Sequence, residues 1–192
     1  AVKDVPIADW DASYRVNLRG PVLLARAFLP AMLERNAGVF VCITSAGGAY
    51  MGAYEVLKTA QADLARTLDA ELEGTGVIAF SMGPGMVRTP GLEAALPRLS
   101  ALYGKTVDEF YAMSAAHLIS AEAAGAGFAA AVALAKRFRG ADTSSTAALL
   151  AAGIDVREAQ APPATLAEAE LARALELCRR VRGTLQEQVQ GW

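Results

Sequence analysis

The sequence predicts an α/β fold in which helices sandwich a parallel β-sheet. Two observations carry this prediction. First, Val39–Ile43 is a short, wholly apolar run, and Val77–Met82 is apolar except for Ser81, which is typical of buried strands in a parallel sheet. Second, a long helical pattern precedes each run and Gly-rich segments separate them, which is the order of right-handed βαβ crossovers.

The first helix is predicted over residues 9–36. Asp9 is a candidate N-cap, and large apolar residues return every three to four positions from Trp10 onward. Pro21 and Pro30 fall inside this pattern, so we expect the helix to be kinked or interrupted there.

The second helix is predicted over residues 54–73, and Gly74–Gly76 ends it before the second apolar strand. In open α/β sheets, each loop that follows a strand lies at the carboxyl edge, where ligands bind. The loops after Ile43 and Met82 are therefore the places where a site is expected.

A largely helical segment is predicted over residues 89–139. Thr106 and Glu109 form a capping box that opens a short helix, and an alanine-rich helix is expected over residues 120–137. Residues 140–156 form a final strand-or-loop region that ends the domain.

The main domain is therefore predicted over residues 1–156. Residues 157–192 are predicted to be a linker, marked by Pro162, and an amphipathic C-terminal helix. Thr165 and Glu168 form a capping box at the start of that helix.

Composition excludes several classes of function. The 192 residues are 54% hydrophobic and carry a net charge of −2, with no basic block, so neither nucleic acid nor a membrane surface is an expected partner. The two cysteines, Cys42 and Cys178, imply no disulfide framework. One histidine, His117, excludes His-rich metal sites, and we expect no metal. We expect a soluble, cytoplasmic protein.

Three residues form a candidate catalytic group. Tyr54 and Lys58 are one helical turn apart, so their side chains share a face, and Ser45 leaves the preceding strand. A phenol has a pKa near ~10, and a neighbouring cation makes it a usable proton carrier at neutral pH. This trio suits proton transfer to a carbonyl oxygen that becomes an alkoxide, or the reverse. The alternative reading of the pair is a surface lysine over a half-buried tyrosine.

Four segments occur in a characteristic order: Val16–Gly20, Ile43–Gly48, the Tyr54/Lys58 pair and Gly83–Thr89. In these motifs the sequence resembles the short-chain dehydrogenase/reductase family, which are NAD(P)-dependent oxidoreductases with a Rossmann-like fold. The resemblance implies hydride transfer between NAD or NADP and an alcohol/ketone substrate.

The resemblance also implies the roles of the catalytic residues. Tyr54 is the acid/base, and Ser45 orients and polarises the substrate oxygen. Lys58 tunes Tyr54 and binds the nicotinamide ribose, while Asn17 holds a water in the proton relay that continues from Lys58. The residues implied in cofactor binding are Tyr54, Lys58, Pro84, Gly85, Val87 and Thr89. The resemblance further implies that the helical segment over residues 89–139 is the family's variable substrate lid.

The sequence departs from the family pattern in two places. It lacks the Gly-rich phosphate loop that follows the first strand, so we expect the N-terminal cofactor-binding half, about four strands, to be missing from the chain. Ser45 and Tyr54 are only nine positions apart, which is short for the family. Either this loop misplaces Ser45 or residues are left out of it.

The resemblance implies a homo-dimer or homo-tetramer built on the helices over 9–36 and 54–73. The competing hypothesis is a catalytically inert fragment, or a self-associating scaffold without cofactor binding, because a partial sheet exposes apolar edges and faces.

Overall fold

The computed structural model describes residues 1–45, 47–156, 176 and 179. The helices within this part of the chain are α1 (Ile7–Tyr14), α2 (Gly20–Glu34), α3 (Ala53–Glu71), α4 (Pro90–Leu102), α5 (Val107–Met113), α6 (Ala121–Ala133), α7 (Ala135–Phe138) and α8 (Ser145–Ala151). The strands are β1 (Gly38–Ile43), β2 (Val77–Gly83), β3 (Met86–Val87), β4 (Leu118–Ile119) and β5 (Asp142–Ser144).

These elements belong to two compact units. Within the described part of the chain, unit 1 comprises residues 1–83 and 135–143, and unit 2 comprises residues 84–134 and 144–156.

The sheet of unit 1 has the order β1-β2-β5. β1 and β2 are parallel and in register from Gly38 opposite Val77 to Ile43 opposite Met82, which confirms the predicted α/β class. β2 is buried over six of its seven residues, whereas in β1 only Cys42 is buried. The prediction that both strands are fully covered is therefore wrong for β1, which is an edge strand among the described strands.

The first predicted helix has a different internal structure from the one expected. It begins at Ile7, so Asp9 is a first-turn residue and not the N-cap. A π-helical turn at Arg15–Arg19 separates α1 from α2. This turn comes just before Pro21, which lies in the first turn of α2 where its missing N–H costs no hydrogen bond. The helix continues through Pro30.

α3 packs against the sheet of unit 1. Leu68 and Leu72 join Ala25, Val77 and Ala79 in one buried cluster. The spacing of the two leucines follows the helical period, so they lie on one face of the chain at the end of α3.

The carboxylate of Asp69 ties α3 to its surroundings. It accepts hydrogen bonds from the Ala79 amide and from Arg139, each at 3.2 Å. Arg139 also donates to the carbonyl of Val77 at 3.0 Å. α3 and β2 are thus joined by polar contacts as well as by apolar packing.

Unit 2 is mostly helical. The capping box of Thr106 and Glu109 is present and opens α5. The alanine-rich helix ends at Ala133, and the strand-or-loop prediction for residues 140–156 omits α8. α8 begins at a side-chain cap from Ser144, whose hydroxyl accepts from the Ala147 amide.

The predicted linker and C-terminal helix, with the box at Thr165 and Glu168, lie outside the described residues apart from 176 and 179. The domain limits 1–156 and 157–192 stay a prediction. Within the described part of the chain, no helix is long and apolar enough to cross a membrane.

Candidate active site

Tyr54 and Lys58 lie in the first two turns of α3. The Lys58 ammonium lies 5.7 Å from the centre of the Tyr54 ring, and it donates a hydrogen bond of 2.9 Å to the carbonyl oxygen of Ile43 at the end of β1. The Tyr54 side chain is 40% exposed, so its phenol is accessible to a ligand. One turn of helix and one strand end therefore fix the lysine beside the phenol.

Ser45 also lies at this end of α3, where Glu55 holds it. The Ser45 hydroxyl donates to one carboxylate oxygen of Glu55 at 2.9 Å, and the Gly47 amide donates to the other at 2.8 Å. The short loop therefore does not carry Ser45 away from Tyr54. Glu55 is a residue that sequence reasoning missed, although its position inside the Tyr54/Lys58 motif was visible.

Burial raises the pKa of Tyr54 above its ordinary value, and the negative charge of Glu55 raises it further, while a hydrogen bond with Ser45 acts in the opposite direction. The expectation that Lys58 lowers the pKa of Tyr54 overall is therefore wrong, because the pKa of Tyr54 is raised. Desolvation and the adjacent carboxylate dominate, so the phenol keeps its proton at neutral pH.

Lys58 is coupled to the strand beneath it. Burial lowers the pKa of Lys58, whereas Cys42 and Glu55 favour its charged form. Burial raises the pKa of the Cys42 thiol to about 11, although the charge of Lys58 acts to lower it. Cys42 is 2% exposed, which confirms it as a buried apolar residue of β1.

Asn17 lies in the π-helical turn, which packs against α3. Its side-chain amide donates a hydrogen bond of 3.1 Å to the Ser13 hydroxyl. Single π-helical turns are often found at functional sites. The structure thus places Asn17, Ser45, Tyr54 and Lys58 in unit 1.

The residues implied in nicotinamide binding after β2 lie in unit 2. Pro84 precedes Gly85, whose φ of +89° suits glycine, and a Cβ at Gly85 would lie 3.0 Å from a methyl group of Ile119. Val87 pairs with Ile119 in the short parallel β3-β4 sheet. Thr89 caps α4, and its hydroxyl oxygen accepts from the Leu92 amide at 3.2 Å.

Each unit, taken by itself, has a side chain with hydrogen-bond donors that suit part of a nicotinamide nucleotide. The Thr89 hydroxyl uses its oxygen in the cap, so its proton stays available for an amide oxygen. An ammonium has three protons, and the Ile43 carbonyl takes one from Lys58, which leaves donors for sugar hydroxyls.

The helical segment over 89–139 contains both core and surface residues. Leu96 and Phe110 are buried, whereas Met113 is 51% exposed. The guanidinium of Arg88 lies 4.1 Å from the centre of the Tyr111 ring, a cation–π contact on the surface of unit 2. His117 is exposed.

Comparison with known proteins gives a consistent result. A family model described as short chain dehydrogenase matches residues 1–98, half of the chain. A short chain dehydrogenase of Pseudocercospora fijiensis is 39% identical over 84 residues, which are 42% of this chain and 27% of that protein. An uncharacterized oxidoreductase of Staphylococcus aureus is 35% identical over 92 residues, 46% of this chain and 40% of that protein.

Solved structures extend the comparison beyond these segments. A protein assigned as an NAD(P) dependent gluconate 5-dehydrogenase of Beutenbergia cavernae, with NADP bound at low occupancy, is 27% identical with a TM-score of 0.61 over 78% of this chain and 60% of that one. Sorbitol-6-phosphate 2-dehydrogenase of Erwinia amylovora shares the fold, with 21% identity and a TM-score of 0.65 over 74% of this chain and 60% of that one. The chain spans less than two thirds of the length of the proteins it matches.

Proposed function

Because this chain belongs to the short-chain dehydrogenase family of NAD(P)-dependent oxidoreductases, we propose that it transfers hydride between NAD(P)(H) and an alcohol/ketone substrate. The observation that carries the proposal is the group at the start of α3. Lys58 is held 5.7 Å from the Tyr54 ring by the Ile43 carbonyl, and Ser45 lies at the same helix end.

Residues of this chain carry out the proton transfer. Tyr54 keeps its proton at neutral pH, because burial and Glu55 raise its pKa, and in ketone reduction it gives that proton to the substrate oxygen as negative charge develops there. Lys58 balances the charge of the phenolate that remains. Ser45 orients the substrate oxygen. In alcohol oxidation the same proton moves back to Tyr54.

The nicotinamide, when bound, supplies or accepts the hydride. Lys58 would bind its ribose, and Thr89 would bind its carboxamide through the hydroxyl proton that the α4 cap leaves available. The backbone at Pro84, Gly85 and Val87 would line the ring. Asn17 would hold a water in the relay that returns a proton through Lys58.

The test is Tyr54→Phe, which removes the ionisable hydroxyl and keeps the ring. We expect turnover of NADH or NADPH with a panel of ketones to fall by about 10²–10⁴-fold, while fluorescence titration still detects nucleotide binding, because Lys58 and Thr89 remain. Tyr14→Phe is the matched control, since Tyr14 is an exposed tyrosine of α1, and it should leave turnover unaltered. Turnover retained in Tyr54→Phe would refute the role of Tyr54.

A second candidate is a self-associating scaffold without cofactor binding, and the surface of α2 favours association. Its exposed apolar side chains include Leu23 at 47%, Leu24 at 53% and Phe28 at 55% exposure. Large exposed apolar patches mark interaction sites, and a second copy of this chain is the partner that we propose for this face. A homo-dimer or homo-tetramer is compatible with the enzyme as well.

Two measurements separate the candidates. Sedimentation of Phe28→Glu should give a monomer, whereas Leu150→Glu, a charge placed on an equally exposed leucine of α8, should not change the assembly. Binding of neither NADH nor NADPH by an associated wild-type protein would favour the scaffold. A cytoplasmic location stays a prediction from the sequence.

A further inference from the structure

Both carboxylate oxygens of Glu55 accept hydrogen bonds from the loop that follows β1. One oxygen accepts from the Ser45 hydroxyl at 2.9 Å and the other from the Gly47 amide at 2.8 Å. Hydrogen bonds to a charged acceptor are stronger than neutral ones, and two of them fix position and direction together. The carboxylate therefore joins two points of the chain to the first turn of α3.

We propose that Glu55 is a positioning residue of the site. Its two hydrogen bonds, called the clasp below, hold Ser45 and Gly47 at the start of α3 and so fix the position of the Ser45 hydroxyl relative to Tyr54. This inference deepens the proposed function and rests on it. Glu55 need not touch substrate, because it acts through Ser45. A serine hydroxyl has one proton, which Ser45 donates to Glu55 here, so this proton has to turn from the carboxylate to the substrate oxygen when Ser45 orients it.

The absence of a side chain at Gly47 is part of this arrangement. A Cβ at that position would lie 2.1 Å from one carboxylate oxygen of Glu55 and 2.3 Å from its carboxyl carbon. Real contacts of a methyl group are near ~3.5–4 Å, so any larger residue displaces the carboxylate. Only glycine at position 47 therefore lets the backbone approach the Glu55 carboxylate this closely.

The charge of Glu55 acts on Tyr54 as well as on the loop. The groups that face Tyr54 are Glu55 and Lys58 on its own helix and the Ser45 hydroxyl beyond β1, and Cys42 of β1 faces Lys58. Glu55 is the anion of this set at neutral pH, and it raises the pKa of Tyr54. Removing its charge while keeping its shape therefore moves the Tyr54 titration toward lower pH.

Glu55→Gln tests the proposal, with Glu71→Gln as the matched control at an exposed glutamate in the last turn of the same helix. The Gly47 amide donates to a charged oxygen of Glu55 at 2.8 Å, and a neutral acceptor holds an amide more weakly, so its hydrogen exchange, followed by NMR, should be faster in Glu55→Gln than in the wild-type protein. The exchange rate should be unchanged in Glu71→Gln. Ultraviolet titration of Tyr54, taken as the difference from Tyr54→Phe, should move to lower pH in Glu55→Gln alone.

Gly47→Ala separates the clasp from the charge. It displaces the carboxylate without neutralising it, so the amide at position 47 should exchange faster with solvent, while circular dichroism shows that the fold is retained. A Gly47 amide that exchanges equally fast in the wild type and in Glu55→Gln, or a Tyr54 titration that is the same in Glu55→Gln and Glu71→Gln, overturns the proposal. These measurements need no cofactor, so a negative result would contradict the role of Glu55 alone. The proposed function is tested separately, by nucleotide binding.

Discussion

Replacing Gly127 with alanine should destabilise unit 2, although alanine is the better helix former. Gly127 lies in α6, where a Cβ would be 2.5 Å from Cβ and 2.6 Å from Cα of Ser145, the first residue of α8. Neither atom is the end of a flexible chain, so the two helices must separate. Separation also stretches the buried hydrogen bond of 3.2 Å from the Ser145 hydroxyl to the Ala124 carbonyl.

The magnitude follows from three contributions. Overpacking costs about 1–3 kcal/mol, and the loss of the buried hydrogen bond costs about 1 kcal/mol. Alanine regains about 1 kcal/mol of helix propensity over glycine. We therefore expect Gly127→Ala to lower the free energy of unfolding by about 1–3 kcal/mol.

Gly125 provides the matched control on the same helix. Nothing lies within 4 Å of a Cβ at Gly125, so Gly125→Ala should gain about 1 kcal/mol from propensity alone. Urea unfolding followed by circular dichroism measures both, and the midpoints should shift in opposite directions with unchanged slopes. Shifts of the same sign in the two variants would refute the packing of α6 against α8.

Two further predictions concern unit 1. Phe80→Ala should cost about 3–5 kcal/mol, because the ring is fully buried in β2 and lies 6.0 Å from the Phe138 ring, and Phe80→Leu should cost less in the same urea assay. Between pH 9 and about 11 the unfolded protein releases the Cys42 proton while the folded protein keeps it, so folding stability should fall as pH rises through this window. Cys42→Ala should flatten that part of the pH dependence of stability, and an unchanged slope would contradict the burial of the thiol.

The periodic elements of this chain were predictable because their signals are local. The apolar runs of β1 and β2, the helical pattern of α3 and the capping box at Thr106 depend on residues within a few positions of one another. α8 escaped prediction because its start depends on one side chain, Ser144, in a segment too short to show a period. The edge position of β1 was not predicted, because an apolar run does not indicate how many strands lie beside it in the sheet.

The candidate site divides in the same way. By itself the sequence determined the fold class, the family and the pairing of Tyr54 with Lys58, since four-residue spacing on a helix places two side chains together whatever surrounds them. Only the tertiary structure decided the direction of the Tyr54 pKa and the two bonds that Glu55 makes to Ser45 and Gly47. The desolvation of Tyr54 and the hydrogen bonds of Glu55 depend on atoms that folding brings together from different segments. The spacing of residues along the sequence does not predict such contacts.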